Sequence, residues 1–248
     1  DKATASMLGD VPRGVMLAQA PIFLGGQGGL VGPCRINYGN VIAAGSIYRK
    51  DALGSGKILI ADPGRGGSVP FRPGGHINVK RIFVNNVIYI ANLVALKSWY
   101  HRVRSQFVSD RLAEMLQEGL CATLNGAITE RLYRLEQWGR KIVRAVHENP
   151  GSAEGLHDEL IDRFNAIIDQ LSRASIANQG DPHRRDVFMD LLKEQMQLHD
   201  RDYLAVISKL SPAAHVEGTA WLKSIVSQVV KNVFEMLPAM HGTDIESL

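Results

Sequence analysis

Few residues in this 248-residue chain stand where chemistry could be done. Its eight histidines, from His76 to His241, form neither an H-E-x-x-H pair nor a regular metal triad. His183 sits beside Arg184 and Arg185 in an expected loop, where a surface or capping role suffices. Cys34 and Cys121 lie far apart and make no metal-ligand spacing. No serine occupies a nucleophile elbow, and acidic pairs such as Asp158-Glu159 fall on polar helix faces. The glycines between Asp62 and Gly75 look superficially like a phosphate loop. No lysine-serine pair follows them and no helix opens there, so that reading fails. One basic group remains: Lys97, His101, Arg102 and Arg104 crowd the end of an expected helix. The dipole favours cations there, and the group is a candidate for binding an anion or a partner. No catalytic residue and no metal ligand is assigned.

The elements that must position these residues divide by glycine use. Of 24 glycines, 16 fall within residues 1–75, and only 8 in the remaining 173 residues. The first part therefore reads as turn-rich β structure and the second as helix. Leu24 to Ile47 reads as four six-residue blocks, LGGQGG, LVGPCR, INYGNV and IAAGSI. Each opens on an aliphatic residue, at Leu24, Leu30, Ile36 and Ile42. Each carries a compact residue four places on, at Gly28, Cys34, Asn40 and Ser46. A period of six fits neither helix nor simple strand and predicts a hexapeptide parallel β-helix. Cys34 then points inward as a small apolar residue. Val11 to Pro21 breaks the phase between two prolines and reads as a loop leaving one corner. Lys57 to Ala61 reads as one more strand.

Apolar spacing predicts helices from about Val79 onward. One runs over Val84–Phe107, with Val87, Ile90, Ala91, Val94 and Trp99 on its apolar face. Asp110 is a good N-cap for a second, reaching about Glu148 before Asn149-Pro150-Gly151. Leu112, Leu116, Leu120, Leu124, Ile128, Leu132 and Leu135 form its apolar series. Further helices are expected at 153–174, 184–199, 201–209 and 217–237, joined by short loops into a bundle. The expected fold is thus α+β and multidomain: a left-handed parallel β-helix segment followed by an all-α helical bundle. Its parts are hexapeptide coils over 1–53, a Gly/Pro-rich linker or ordered loop over 54–77, and the bundle over 78–248.

A net charge of +3 and 45 % hydrophobic residues suit a protein with a real core, and exclude a strongly basic nucleic-acid binder. Two cysteines without a framework fit a reducing cytoplasm. No signal peptide and no apolar run of the ~20 residues needed for a span is read, so no membrane partner is expected. The chain starts at Asp1 and enters repeat-like sequence at once. That start predicts a C-terminal part of a longer protein, with earlier coils and an N-terminal domain upstream.

Residues Lys2 to Asp51 resemble the acetyltransferase part of the bacterial bifunctional enzymes that make UDP-N-acetylglucosamine. The matching string is Lys2, Leu8-Gly9-Asp10, Phe23-Leu24-Gly25, Leu30-Val31-Gly32-Pro33, Ile42-Ala43-Ala44-Gly45-Ser46 and Arg49-Lys50-Asp51. With its helical tail, the chain resembles the UDP-N-acetylglucosamine pyrophosphorylase-related proteins of bacteria. The resemblance implies a left-handed β-helix and a trimer. It implies sugar-phosphate contact at Lys2 and acetyl-CoA contact at the turn Ala43, Ala44, Gly45 and Ser46, with Ala44 acting through its backbone. The family's catalytic histidine would precede residue 1, and Gly26 stands where the family has a serine near acetyl-CoA. The first expectation is therefore a non-catalytic, structural or oligomerising C-terminal region of a sugar-nucleotide pyrophosphorylase-like protein, with no cofactor of its own. The alternatives are an acetyl-CoA-dependent acyltransferase acting on an amino-sugar phosphate or sugar nucleotide, and a partner-binding helical module.

Overall fold

A computed structural model describes residues 5–61, 78–148, 156–177, 179–199 and 202–241. Seven strands come first: β1 (Met7–Leu8), β2 (Phe23–Leu24), β3 (Gly29–Leu30), β4 (Arg35–Ile36), β5 (Val41–Ile42), β6 (Ile47–Tyr48) and β7 (Ile58–Leu59). A short helix, α1 (Val11–Gly14), interrupts them. Six helices follow: α2 (Val79–Arg102), α3 (Arg111–Glu148), α4 (Leu156–Ala177), α5 (Pro182–Leu198), α6 (Tyr203–Ser208) and α7 (Pro212–Phe234).

The left-handed parallel β-helix expected of the first part is not formed, and the hexapeptide-repeat architecture falls with it. About 66 % of the described residues are helical. Each strand is two residues long, and the strands form three small parallel sheets, β1-β4, β2-β5-β7 and β3-β6. The six-residue blocks express themselves only locally, as short pairings such as Phe23 with Val41 and Gly29 with Ile47. Two-residue pairs bury little. The strand segment's own core is Cys34, Ile36, Ile42, Ala52 and Leu59, while Phe23 and Ile58 stay exposed on the outer face. Strands of two residues bury too little to stand as an independent unit.

The strand segment is instead bolted to the helices by the stretch expected to be a free loop. Asp10 caps α1, accepting from the Arg13 amide at 2.9 Å, and Pro12 occupies the first turn. α1 packs on α2 and α7. The Val11 amide donates to Asn92 Oδ1 on α2 at 2.9 Å. Just beyond α1, Met16 enters the helical core at 1 % exposure. Gly218 on α7 makes room for it: a Cβ there would lie 2.6 Å from Met16 Cε and 2.7 Å from the Phe188 ring.

The bundle is organised around α2 and α7. Phe83, Val87, Ile90, Val94 and Trp99 of α2 and Trp221, Leu222, Ile225, Val229 and Val233 of α7 are buried in one cluster. Phe188 of α5 lies between two indoles, 5.8 Å from Trp99 and 6.0 Å from Trp221 by ring centroid. The indole nitrogens donate to Tyr203 Oη (3.1 Å) and to the Gln179 carbonyl (2.9 Å), so neither polar end is stranded. The stretch Val79–Phe107 is long and apolar enough to cross a membrane, which corrects the sequence reading. Yet 67 % of its apolar 18-residue segment is buried inside the protein, as befits a core helix. α7 begins earlier than its apolar spacing predicts, because Ser211 caps it and Pro212 opens it.

Asn40 shows how the strand segment is held without much apolar burial. Its fully buried amide donates to the carbonyls of Asn37 (3.0 Å) and Gly54 (2.7 Å) and accepts from the Lys57 amide (2.9 Å). Asn40→Ala should therefore destabilise this segment by about 2–4 kcal/mol, since three backbone groups lose their partner inside the protein. Native-state hydrogen exchange at the Lys57 amide measures it; protection unchanged from wild type would contradict this role for the side chain.

Candidate functional site

The structure disperses the residues singled out by sequence. Lys2 lies outside the described residues, as does the glycine-rich stretch 62–77. The turn Ala43, Ala44, Gly45 and Ser46 is largely occupied by its own neighbours. The Ser46 amide bonds the Ala43 carbonyl at 3.2 Å, the Gly45 amide the Gly26 carbonyl at 2.9 Å, and Ser46 Oγ accepts from the Ala61 amide at 3.3 Å.

The basic group at the end of α2 is likewise spent on the fold. Lys97 Nζ donates to the Ser175 carbonyl at 3.1 Å, near the C-terminus of α4. Arg102 binds Gln179 Oε1 at 2.8 Å. The Arg104 guanidinium lies 3.9 Å from the centroid of the Tyr203 ring. His101 and Arg102 are exposed, and Lys97, Arg102 and Arg104 are each directed at a different partner rather than at one point. Burial raises the Tyr203 hydroxyl above its ordinary range, against the pull of its bond from Trp99 and the nearby Arg104 charge.

The two cysteines differ. Cys34 is fully buried, and its thiol donates to the Val31 carbonyl at 3.3 Å. Burial pushes this thiol up, and Arg81, whose Nη2 stands 3.6 Å from the sulfur, offsets only part of that. Among the described residues no cluster of three or more His, Cys, Asp or Glu could hold a metal ion.

One surface is conspicuously unfinished. α3 is 38 residues long. Asp110 starts it, accepting from the Ala113 amide at 2.9 Å; that backbone bond holds its carboxyl below the usual carboxylate range. From Leu124 onward the apolar series turns inward: Leu124, Ile128 and Leu135 are buried. Before Leu124 it does not. Leu112, Met115, Leu116 and Leu120 are 38–68 % exposed. Along the same outer face come Gly119, Ala122, Thr123 and Gly126, also exposed. A Cβ built at Gly119 or Gly126 would meet nothing within 4 Å. Glycine inside a helix costs about 1 kcal/mol relative to alanine, and no neighbour within the chain demands it here. The face therefore carries large residues at its N-terminal end, a glycine at its middle and short side chains or none at its C-terminal end. Charged neighbours such as Glu114 and Glu118 stand beside this face, with Arg111 and Glu114 paired to each other at 2.7 Å.

No family model, curated protein or solved structure matches this chain.

The contrast between the cysteines gives a direct check on the packing. A thiol reagent at pH 8 should label Cys121 quickly and leave Cys34 protected until the protein unfolds. Cys121→Ser should remove the fast phase; two equally fast phases in wild type would show the strand core to be open.

Proposed function

We propose that this chain is a non-catalytic assembly module that pairs with a second copy of itself through the outer face of α3. The observation that carries the reading is the self-complementarity of that face about Gly119. In an antiparallel pair with its two-fold axis at Gly119, Leu112 faces Gly126, Met115 faces Thr123 and Leu116 faces Ala122. Long side chains then fill the gaps left by short ones, and the glycines let the backbones approach to about 8 Å. The Thr123 hydroxyl needs no partner from the second copy, because a helical threonine can bond the carbonyl one turn back. A parallel pair would instead set large against large and leave small against small. A two-fold contact of this kind is closed, so it yields a dimer rather than a fibre.

This reading keeps the structural and oligomerising role expected from the sequence and moves it from the strands to a helix. The parent class, a sugar-nucleotide pyrophosphorylase-like protein, is supported by the string from Lys2 to Asp51 alone. A cytoplasmic location is supported by two unpaired cysteines, one of them sealed in the core.

Sedimentation equilibrium tests the pairing. Wild type should be a dimer at micromolar concentration. Leu116→Glu and Gly126→Leu should each weaken association about a hundredfold, because one buries a charge and the other fills the gap meant for Leu112. Gly119→Cys should form an intermolecular disulfide on mild oxidation, since the two copies meet there. A wild-type monomer, or a Gly119→Cys protein that fails to cross-link, would sink the proposal.

A further inference from the structure

A cleft of about 680 Å³ lies where the strand segment meets the helices. That volume lies within the range of small-molecule sites. Its walls bring together basic residues from four different elements: Arg13 of α1, Arg35 of β4, Arg184 of α5 and Lys223 of α7. Asp10 is the only carboxylate among its lining residues.

The arginines are held in place by partners. Arg13 is paired with Asp10 and donates from Nη2 to Asn37 Oδ1 at 2.7 Å. Arg35 is paired with Asp51 at 3.2 Å, and Arg184 with Glu217 at 3.2 Å. These contacts fix the guanidinium planes, and those of Arg13 and Arg184 do so without using every donor. Arg13 bonds through Nε and Nη2, and Arg184 contacts its acids through Nε and Nη1. The remaining N–H groups of a positioned fork suit phosphate oxygens.

Lys223 differs. It lines the cleft, is exposed, and has no ion-pair partner among the described residues. Ser227 lines the same cleft one helical turn on, and its hydroxyl is likewise without a hydrogen-bond partner among the described residues. An ammonium and a hydroxyl at i and i+4 project from one face of a helix. Together they offer a mobile charge and a donor opposite the fixed arginines. Ile36, Ile88 and Val226 supply an apolar wall for the body of a ligand.

We propose that this cleft binds a small phosphomonoester, its phosphate taken by Lys223 and Ser227 with Arg13 and Arg184. The site does not depend on pairing through α3, since none of its residues belongs to that helix. It requires only that α1 be docked, because α1 brings Arg13 to α7.

Two-dimensional amide NMR of the full chain, titrated with ribose 5-phosphate, tests this, with ribose and acetate as counterparts. Ribose 5-phosphate should shift the amides of Arg13, Arg184, Lys223 and Ser227 and saturate, and inorganic phosphate should compete. Ribose and acetate should not bind. Lys223→Ala should weaken binding about tenfold, and Ser227→Asp should abolish it, both without altering the thermal midpoint, because both side chains are exposed. Lys193→Ala, which removes a lysine outside the cleft, should leave binding unchanged. Shifts scattered over surface cations, acetate binding as well as the phosphomonoester, or full binding by Lys223→Ala would overturn the assignment.

Discussion

Met16 is the contact on which this architecture rests. A flexible thioether threads from the strand segment into the core of the bundle, against the bare backbone of Gly218, where the Phe188 ring also packs. The strands bury too little to stand alone. Their two-residue pairings and five-residue core would leave them marginal without a larger body to lean on. Docking of α1 supplies that body, and the bond from the Val11 amide to Asn92 fixes its register against α2. Asn92 is tied in turn to its own helix, its amide donating to the Ile88 carbonyl at 2.9 Å. The junction thus combines an apolar bolt with a polar latch, and the geometry of the cleft beside it follows from both.

The helices were legible because their apolar spacing repeats over many turns, and caps such as Asp110 mark their starts. Which stripe of a helix is buried was not legible. Leu112, Leu116 and Leu120 continue the spacing of Leu124 and Ile128, and reading them as one core series is natural. Residues four apart advance by about 40° beyond a full turn, so a series at that spacing winds around the helix. The structure shows its first half pointing away from the neighbours that bury its second half. Periodicity reports that a face exists, and only packing reports what covers it.

The strand region misled for a related reason. Six-residue blocks are a local grammar, and they do produce short parallel pairs. An extended solenoid needs that grammar sustained through many turns, and here it lapses after Ile47. The break at Val11 to Pro21 was the more informative stretch. Asp10 followed by Pro12 is a helix start in miniature, and Val15-Met16-Leu17 is a short apolar run inside an apparent loop. Those signs were present, but the burial of Met16 is decided by Gly218, far along the chain. The basic cluster of Lys97 to Arg104 shows the converse. Its charge was obvious, and its use was settled by a carbonyl, an amide and a ring that no spacing rule connects to it.

The sandwich of Phe188 between Trp99 and Trp221 has an optical consequence. Both indoles are sealed from water, so their emission should lie well to the blue of free tryptophan. The third, Trp138, is only partly covered. Because the two buried rings sit on α2 and α7 and the ring between them on α5, loosening α5 alone would admit water to both. The intrinsic fluorescence of this protein is therefore a reporter on one helix, and it distinguishes departure of α5 from fraying of the strand segment, which contains no tryptophan.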